Sequence, residues 1–225
     1  MLYIVSTPIG NLEDITLRAL RILKEVDLII AEDTRHSHIL LNKYDIKTQM
    51  TSFHSHSNES EVARLISILQ SGKNAALISD AGTPGISDPG YVLIKHALAT
   101  GIPMTVIPGP SAVITSIVAS GLPMHRFLYL GFLPLKKGRK TLIASLRDTP
   151  HTVALYEAPH RIVRTLHELH ASLGERPVAV CREMTKVFEE VFRGTLSEAA
   201  AHFEKKKTLG EFTVVIGPRT AIITS

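Results

Sequence analysis

Along the first 120 residues two patterns of apolar and polar positions take turns. Short, nearly continuous apolar runs at 2–6, 27–31, 75–79 and 104–107 are long enough for strands and too short for helices. Between them apolar residues recur at three- and four-residue spacing. Ile15, Leu17, Leu20, Ile22 and Leu23 follow Asp14, and Val62, Leu65, Ile66 and Leu69 follow Asn58, with Asp14 and Asn58 as expected N-caps. Strands without polar alternation, interleaved with amphipathic helices, imply a parallel sheet covered on both faces. Such a sheet presents its ligand site beyond the carboxyl ends of its strands.

After Gly121, Leu122 and Pro123 the rhythm changes. Strand patterns at 127–133, 152–156, 178–182, 187–193 and 212–216 are joined by helical patterns at 140–146, 161–173 and 196–206. The third and fourth strands are only a few residues apart, which predicts an antiparallel pair. The expectation is an α/β chain of two domains without internal repeats. Residues 1–122 carry a mainly parallel sheet with helices on both faces, and residues 123–225 a mixed sheet with helices.

Composition narrows this picture little, because 44% hydrophobic and 20% charged residues over 225 positions are ordinary for a globular protein. The single cysteine, Cys181, excludes an internal disulfide and a cysteine-rich metal cage, which fits a reducing, cytoplasmic setting. No basic leader precedes the first strand, and the uncharged stretch 97–124 is broken by Pro103, Pro108, Pro110 and Pro123, so neither export nor a membrane span is expected. Charge is more informative. The net +4 is uneven: residues 1–125 hold 9 Lys/Arg against 11 Asp/Glu, and residues 126–225 hold 16 against 10. Lys136, Lys137, Arg139, Lys140, Lys205, Lys206 and Lys207 supply seven of those sixteen, a pattern that suits a polyanion such as RNA or a solvated face.

Candidate chemistry sits where the parallel sheet predicts it. The first loop, STPIGN at 6–11, lacks the G-x-G-x-x-G of a dinucleotide site. The second, AEDTR at 31–35, puts Glu32, Asp33 and Arg35 at the end of an apolar strand, where charges must pair or bind something; an N-capping Asp33 with a surface Arg35 is the structural alternative. The third, SDAGTPGISDPG at 79–90, combines small residues that let a ligand approach the backbone with Asp80 and Asp88 as acceptors for an amine or hydroxyls. The fourth, PGPSA at 108–112, opens a helix with small residues. In the second half YEAPHR at 156–161, REMTK at 182–186 and GEF at 210–212 bring mixed charges to strand ends, either to close over a ligand or as salt-bridged scaffolding. The pairs His36 and His38, His54 and His56, and His167 and His170 lack metal-site spacing, and no nucleophile elbow or Walker loop is present, so no metal is expected.

Taken in order, these seven motifs closely resemble the ribosomal RNA small subunit methyltransferase I family of the tetrapyrrole methylase superfamily, over nearly the whole chain from Leu2 to Ile216. The resemblance implies a bilobal α/β fold, S-adenosylmethionine held between the lobes, a homodimer, and 2′-O-methylation of a cytidine in the decoding region of 16S ribosomal RNA, as free RNA or in the small subunit. It implies no membrane or DNA partner. Cofactor contacts carry over to Pro8, Ile9, Ala81, Gly82, Thr83, Ile86, Ser111, Ala112, Tyr156, Glu157, Met184 and Phe212, and Asp80 joins them as an acceptor. Many relatives of this kind carry a helical extension after the final strand, whereas this sequence ends at Ser225.

For transfer to a ribose hydroxyl, Glu32 and Asp33 are the candidate bases and Arg35, Arg182 and Lys186 the candidate electrostatic groups. The competing expectations are methylation of a tetrapyrrole or another small molecule by the same superfamily fold, and a non-catalytic RNA-binding assembly module.

Overall fold

The computed structural model describes residues 1–54 and 57–219. They form two compact units, which divide between Ser111 and Ala112.

The first unit holds strands β1 (Leu2–Val5), β2 (Leu28–Ala31), β3 (Met50–Ser52), β4 (Ala75–Ile78) and β5 (Met104–Ile107), all parallel, in the order β3-β2-β4-β1-β5. Its helices are α1 (Leu17–Glu25), α2 (Thr34–Lys43), α3 (Glu59–Gln70) and α4 (Gly90–Ala99). β2 and β4 are buried at every position. Successive side chains of a strand point to opposite faces, and the core divides accordingly. Leu2, Ile4, Leu28, Ile30, Ala75 and Leu77 pack with α3 and α4, whereas Val5, Ile29, Ala31, Ala76 and Ile78 pack with α1 and α2. That two-sided burial is why these runs lack polar alternation. Asn58 caps α3 as expected, but α1 is capped by Thr16 rather than Asp14, its Oγ1 accepting from the Ala19 N–H at 3.1 Å.

In the second unit α5 (Ala112–Ser120) precedes β6 (Phe127–Phe132), α6 (Arg139–Ser145), β7 (Thr152–Glu157), α7 (Ile162–Leu173), β8 (Pro177–Arg182), β9 (Glu190–Thr195), α8 (Leu196–Glu204) and β10 (Phe212–Ile216). The sheet order is β6-β7-β10-β8-β9, with β6 and β7 parallel and the other pairs antiparallel. α6, α7 and α8 cover one face; Val113 and Ile117 of α5 pack on Ala154, Ala179 and Val215 of the other. The units therefore divide some ten residues earlier than residue 122, because α5 is the cover of the second sheet. β9 also begins three residues later than expected. Residues 183–189 turn instead, with Glu183 at φ +50° and Thr185 at φ +67°. Among the described residues no helix is long and apolar enough to cross a membrane.

Candidate functional site

β1 and β4 are neighbours in the sheet, yet the chain leaves them toward opposite faces, β1 to α1 and β4 to α4. Connections that diverge in this way leave a crevice at the carboxyl ends of the two strands. Its floor is stitched shut. The Thr7 N–H donates to the Gly82 carbonyl at 2.9 Å and the Gly82 N–H returns to Thr7 O at 3.1 Å. The Thr7 hydroxyl donates to Ser79 O at 3.0 Å, and Ser6 Oγ lies 2.9 Å from Thr83 Oγ1 and donates to Ile107 O at 3.2 Å. Gly82 sits at φ +78°, and a Cβ there would lie 3.6 Å from Cγ2 of Ile9. Gly109 is tighter still, since its Cβ would fall 2.8 Å from Cβ of Ser6. The loops after β1, β4 and β5 thus converge on Ser6 and Thr7. Pro8 and Ile9 are buried beneath, while Ala81 and Ile86 are exposed.

Along the same edge of the first unit lie four carboxylates. Asp88 accepts from the Gly85 and Gly90 N–H groups at 2.8 and 2.7 Å, which fixes the turn into α4. Asp80 accepts from the Asp33 N–H at 3.1 Å, tying the second and third loops together. Asp33 caps α2 and holds Arg35 in a two-pronged pair, Nε to Oδ1 at 3.1 Å and Nη2 to Oδ2 at 2.7 Å. The hydrogen bonds from Arg35 hold the Asp33 carboxyl well below the usual carboxylate range. Glu32 moves the other way. Burial raises it, and the charges of Asp80, Asp88 and Asp33 raise it further. One guanidinium, already paired, stands against four acids, so this edge favours a cationic ligand.

In the second unit Tyr156 lies next to the end of β7, its ring centroid 5.3 Å from that of Tyr129 and 5.7 Å from that of Phe132. Glu157 is 1% exposed, and its carboxylate is saturated: it accepts from the Ala158 N–H at 2.8 Å and from Thr165 Oγ1 at 2.6 Å, and pairs with Arg161 Nε at 2.9 Å. Phe212 turns its ring into the core, edge-on to Phe203 at 5.5 Å. The side chains of Glu157 and Phe212 are thus structural, and the two residues face each other across the β7–β10 pair. Met184 is buried. Arg182 donates to Leu209 O at 2.7 Å and lies 3.5 Å from Glu190, and Lys186 bridges Glu183 and Glu211 at 2.9 Å each. The motifs at 182–186 and 210–212 are therefore one cluster, and their cations are already neutralised.

The structure also redistributes the basic runs and the histidines. Arg139, read as part of a basic cluster, is 5% exposed and donates to Glu168, Thr165 and Pro134 O at 2.6, 2.7 and 3.2 Å. Lys206 is paired with Glu190. His167 and His170 pair with Glu204 and Glu175, and His56 lies outside the described residues. Ser6 and Gly109 gained no role of their own from the motif reading. Two hydroxyls closing an apolar strand were the available signal for Ser6, whereas Gly109 shows its purpose only once β5 lies beside β1.

Fold and site together define an α/β protein whose acidic loop edge at a topological switch point suits a cationic, partly apolar ligand. The model of the tetrapyrrole (corrin/porphyrin) methylases matches residues 1–200. Ribosomal RNA small subunit methyltransferase I of Thermotoga maritima is 48% identical over 96% of this chain and 97% of its own. Among solved structures the methyltransferase CobJ superposes with a TM-score of 0.76 at 16% identity, covering 100% of this chain and 96% of that one. Uroporphyrin-III C-methyltransferase from Thermus thermophilus, complexed with S-adenosylhomocysteine, does so with 0.68 at 22% identity, covering 96% of each. The chain belongs to the tetrapyrrole methylase family, and its sequence relatives lie in the ribosomal RNA small subunit methyltransferase I branch.

Proposed function

We propose that this protein transfers a methyl group from S-adenosylmethionine to the 2′-hydroxyl of a cytidine in the decoding region of 16S ribosomal RNA, acting in the cytoplasm as a homodimer. The 48% identity over nearly the full length of a ribosomal RNA small subunit methyltransferase I carries the RNA substrate class. The cytidine and its 2′-oxygen rest on the motif resemblance alone.

The residues present fit the cofactor. Its adenosine needs backbone polar groups and apolar contact, which the tightly held loops at Ile9, Ala81 to Thr83 and Ile86 offer; its ammonium and sulfonium charges need acids, which Asp80 and Asp88 supply. A Cβ at Gly109 would disturb the Ser6 anchor on which that cradle rests. When bound, S-adenosylmethionine supplies an electrophilic methyl group on a sulfonium, whose charge disappears on transfer.

The chain's part is alignment and proton removal. The stitched loops hold one geometry, and in-line displacement gains much of its rate from such positioning. A neutral ribose hydroxyl is a poor nucleophile, so a base must take its proton. Between the two carboxylates at the end of β2 the environments favour Glu32 as the base. Asp33 is a helix cap with its proton affinity suppressed by Arg35, whereas burial and the neighbouring carboxylates raise the proton affinity of Glu32. The test is methyl transfer from labelled S-adenosylmethionine, offered in parallel to 16S RNA, to small ribosomal subunits and to a porphyrin precursor. Label in one cytidine ribose is the expected result; label in the porphyrin alone, or in none, overturns the reading. Sedimentation at micromolar concentration tests the homodimer.

A further inference from the structure

We infer that the segment from Phe132 to Lys140 is a docking platform for an unstacked nucleotide of the RNA substrate, with Phe132 as the stacking face and Lys136, Lys137 and Lys140 as its phosphate contacts. This rests on the ribosomal RNA reading above and adds to it a conformation, single-stranded, and a place on the second unit.

The platform is built from below. Leu133 is buried at 1% exposure, and its carbonyl accepts from Arg161 Nη2 at 2.8 Å. The Pro134 carbonyl accepts from Arg139 Nη1 at 3.2 Å. Both guanidiniums are pinned in turn: Arg161 by Glu157, Arg139 by Glu168 and Thr165. One buried cation, Arg139, and one half-buried cation, Arg161, thus hold the backbone of one short loop, and β6 shifts register between Tyr129 and Phe132 as it enters. Such a shift re-aims the side chains that follow it. The outcome is an alternation in which Leu133 and Arg139 point in, while Phe132 and Leu135 stand 52% and 70% exposed beside the exposed Lys136, Lys137 and Lys140.

Large apolar groups held rigidly in water call for a partner. What selects RNA is the combination on one segment. An aromatic ring backed by a second ring, Tyr156 at 5.7 Å, offers a flat face to any base, and three lysines with no carboxylate within ion-pair distance among the described residues attract phosphates. A base paired and stacked inside a duplex has no free face to give, so the platform selects single strands.

The experiment uses the full-length protein and a fluorescent twelve-nucleotide RNA of mixed sequence, free and annealed to its complement, with a second version carrying 2-aminopurine. Wild type is expected to favour the single strand and to quench 2-aminopurine. Phe132→Ala should lose about ten-fold in single-strand affinity and most of the quenching, and Phe132→Trp should restore both. Lys136→Gln combined with Lys137→Gln should lower the slope of log affinity against log salt by about 1.4 while quenching at saturation persists. S-adenosylhomocysteine affinity, measured by calorimetry, should be the same in all variants. Equal affinity for duplex and single strand, or unchanged binding in Phe132→Ala, overturns the platform. So does a Phe132→Ala protein that turns monomeric with RNA affinity intact, since the face then belongs to a second copy of the chain. Methyl transfer by wild type is scored separately: RNA methylation without these effects removes only the platform, and the effects without RNA methylation remove only the proposed reaction.

Discussion

Glu32 and Asp33 are adjacent in sequence and chemically alike, yet their surroundings separate their acidities in opposite directions. The consequence is measurable. A base must be ionised to act, so turnover should rise with pH through a limb displaced above the ordinary carboxylate range, and Glu32→Gln should remove that limb while lowering turnover by about 10²-fold or more. Asp33→Asn keeps a good helix cap and loses only an exposed ion pair, so turnover per folded molecule should stay near wild type. Single-turnover methyl transfer across pH checks both. The same shift has a stability sign. A carboxylate whose pKa is raised on folding binds its proton more tightly in the folded state, so Glu32 contributes stability as pH falls and opposes it at neutral pH. Glu168 has the reverse sign: burial opposes its charge, but hydrogen bonds from Arg139 and Arg164 outweigh it and lower its pKa. Its contribution is present above the unfolded pKa and disappears as pH falls through the folded one.

At the scale of elements, two positions test how the loops and sheets are held. Gly109→Ala places a methyl group 2.8 Å from Cβ of Ser6, so β5's loop must retreat from β1. A cost of about 1–3 kcal/mol is expected, together with weaker S-adenosylhomocysteine binding, read by thermal denaturation and calorimetry. Arg139→Ala leaves Glu168 and Glu157 with one partner fewer in a buried network and should cost about 3–5 kcal/mol in denaturant unfolding. A buried guanidinium releases no counterions of its own, so any change in RNA binding should come from the loop that Arg139 holds at the Pro134 carbonyl. The sequence could not have separated Arg139 from the lysines around it, since a basic residue reads the same whether it faces water or a carboxylate. Most strands and helices were legible because burial on both faces or one face writes itself into apolar spacing. β3 was not, being three residues, Met50 to Ser52, at the sheet's edge and carrying no alternation. α5 was legible as a helix but not in its allegiance: Ala112 to Ser120 is apolar on most sides, and only packing shows which sheet it covers. At the site the loops were readable from their small residues. The choice between two adjacent carboxylates was not, because it depends on Asp80 and Asp88, some fifty residues away in sequence.

For the whole molecule, ligand binding should report on the folded state as a unit. S-adenosylhomocysteine at a hundred times its Kd should add about 2.7 kcal/mol to the stability of whatever it binds, seen as a rise in melting temperature that scales with the logarithm of its concentration. Chelation by EDTA should leave turnover unchanged, since the chemistry is assigned to carboxylates and backbone; a loss restored by magnesium would contradict that assignment.

β10 stands at the centre of its sheet, paired on one side with β7 and on the other with β8, and every one of its residues is buried. Among the described residues it is also the last strand of its unit to leave the ribosome. Until it arrives, β6 with β7 and β8 with β9 are two separate pairs, each showing an open edge where β10 will lie. The first unit closes over strands that are all made by residue 107. Synthesis therefore passes through an interval in which the leading half of this protein can be native while the trailing half waits, with unpaired strand edges that invite misassociation. Slowing translation before Phe212 should lengthen that interval and raise the chain's demand for chaperones, an effect that no property of the finished molecule would reveal.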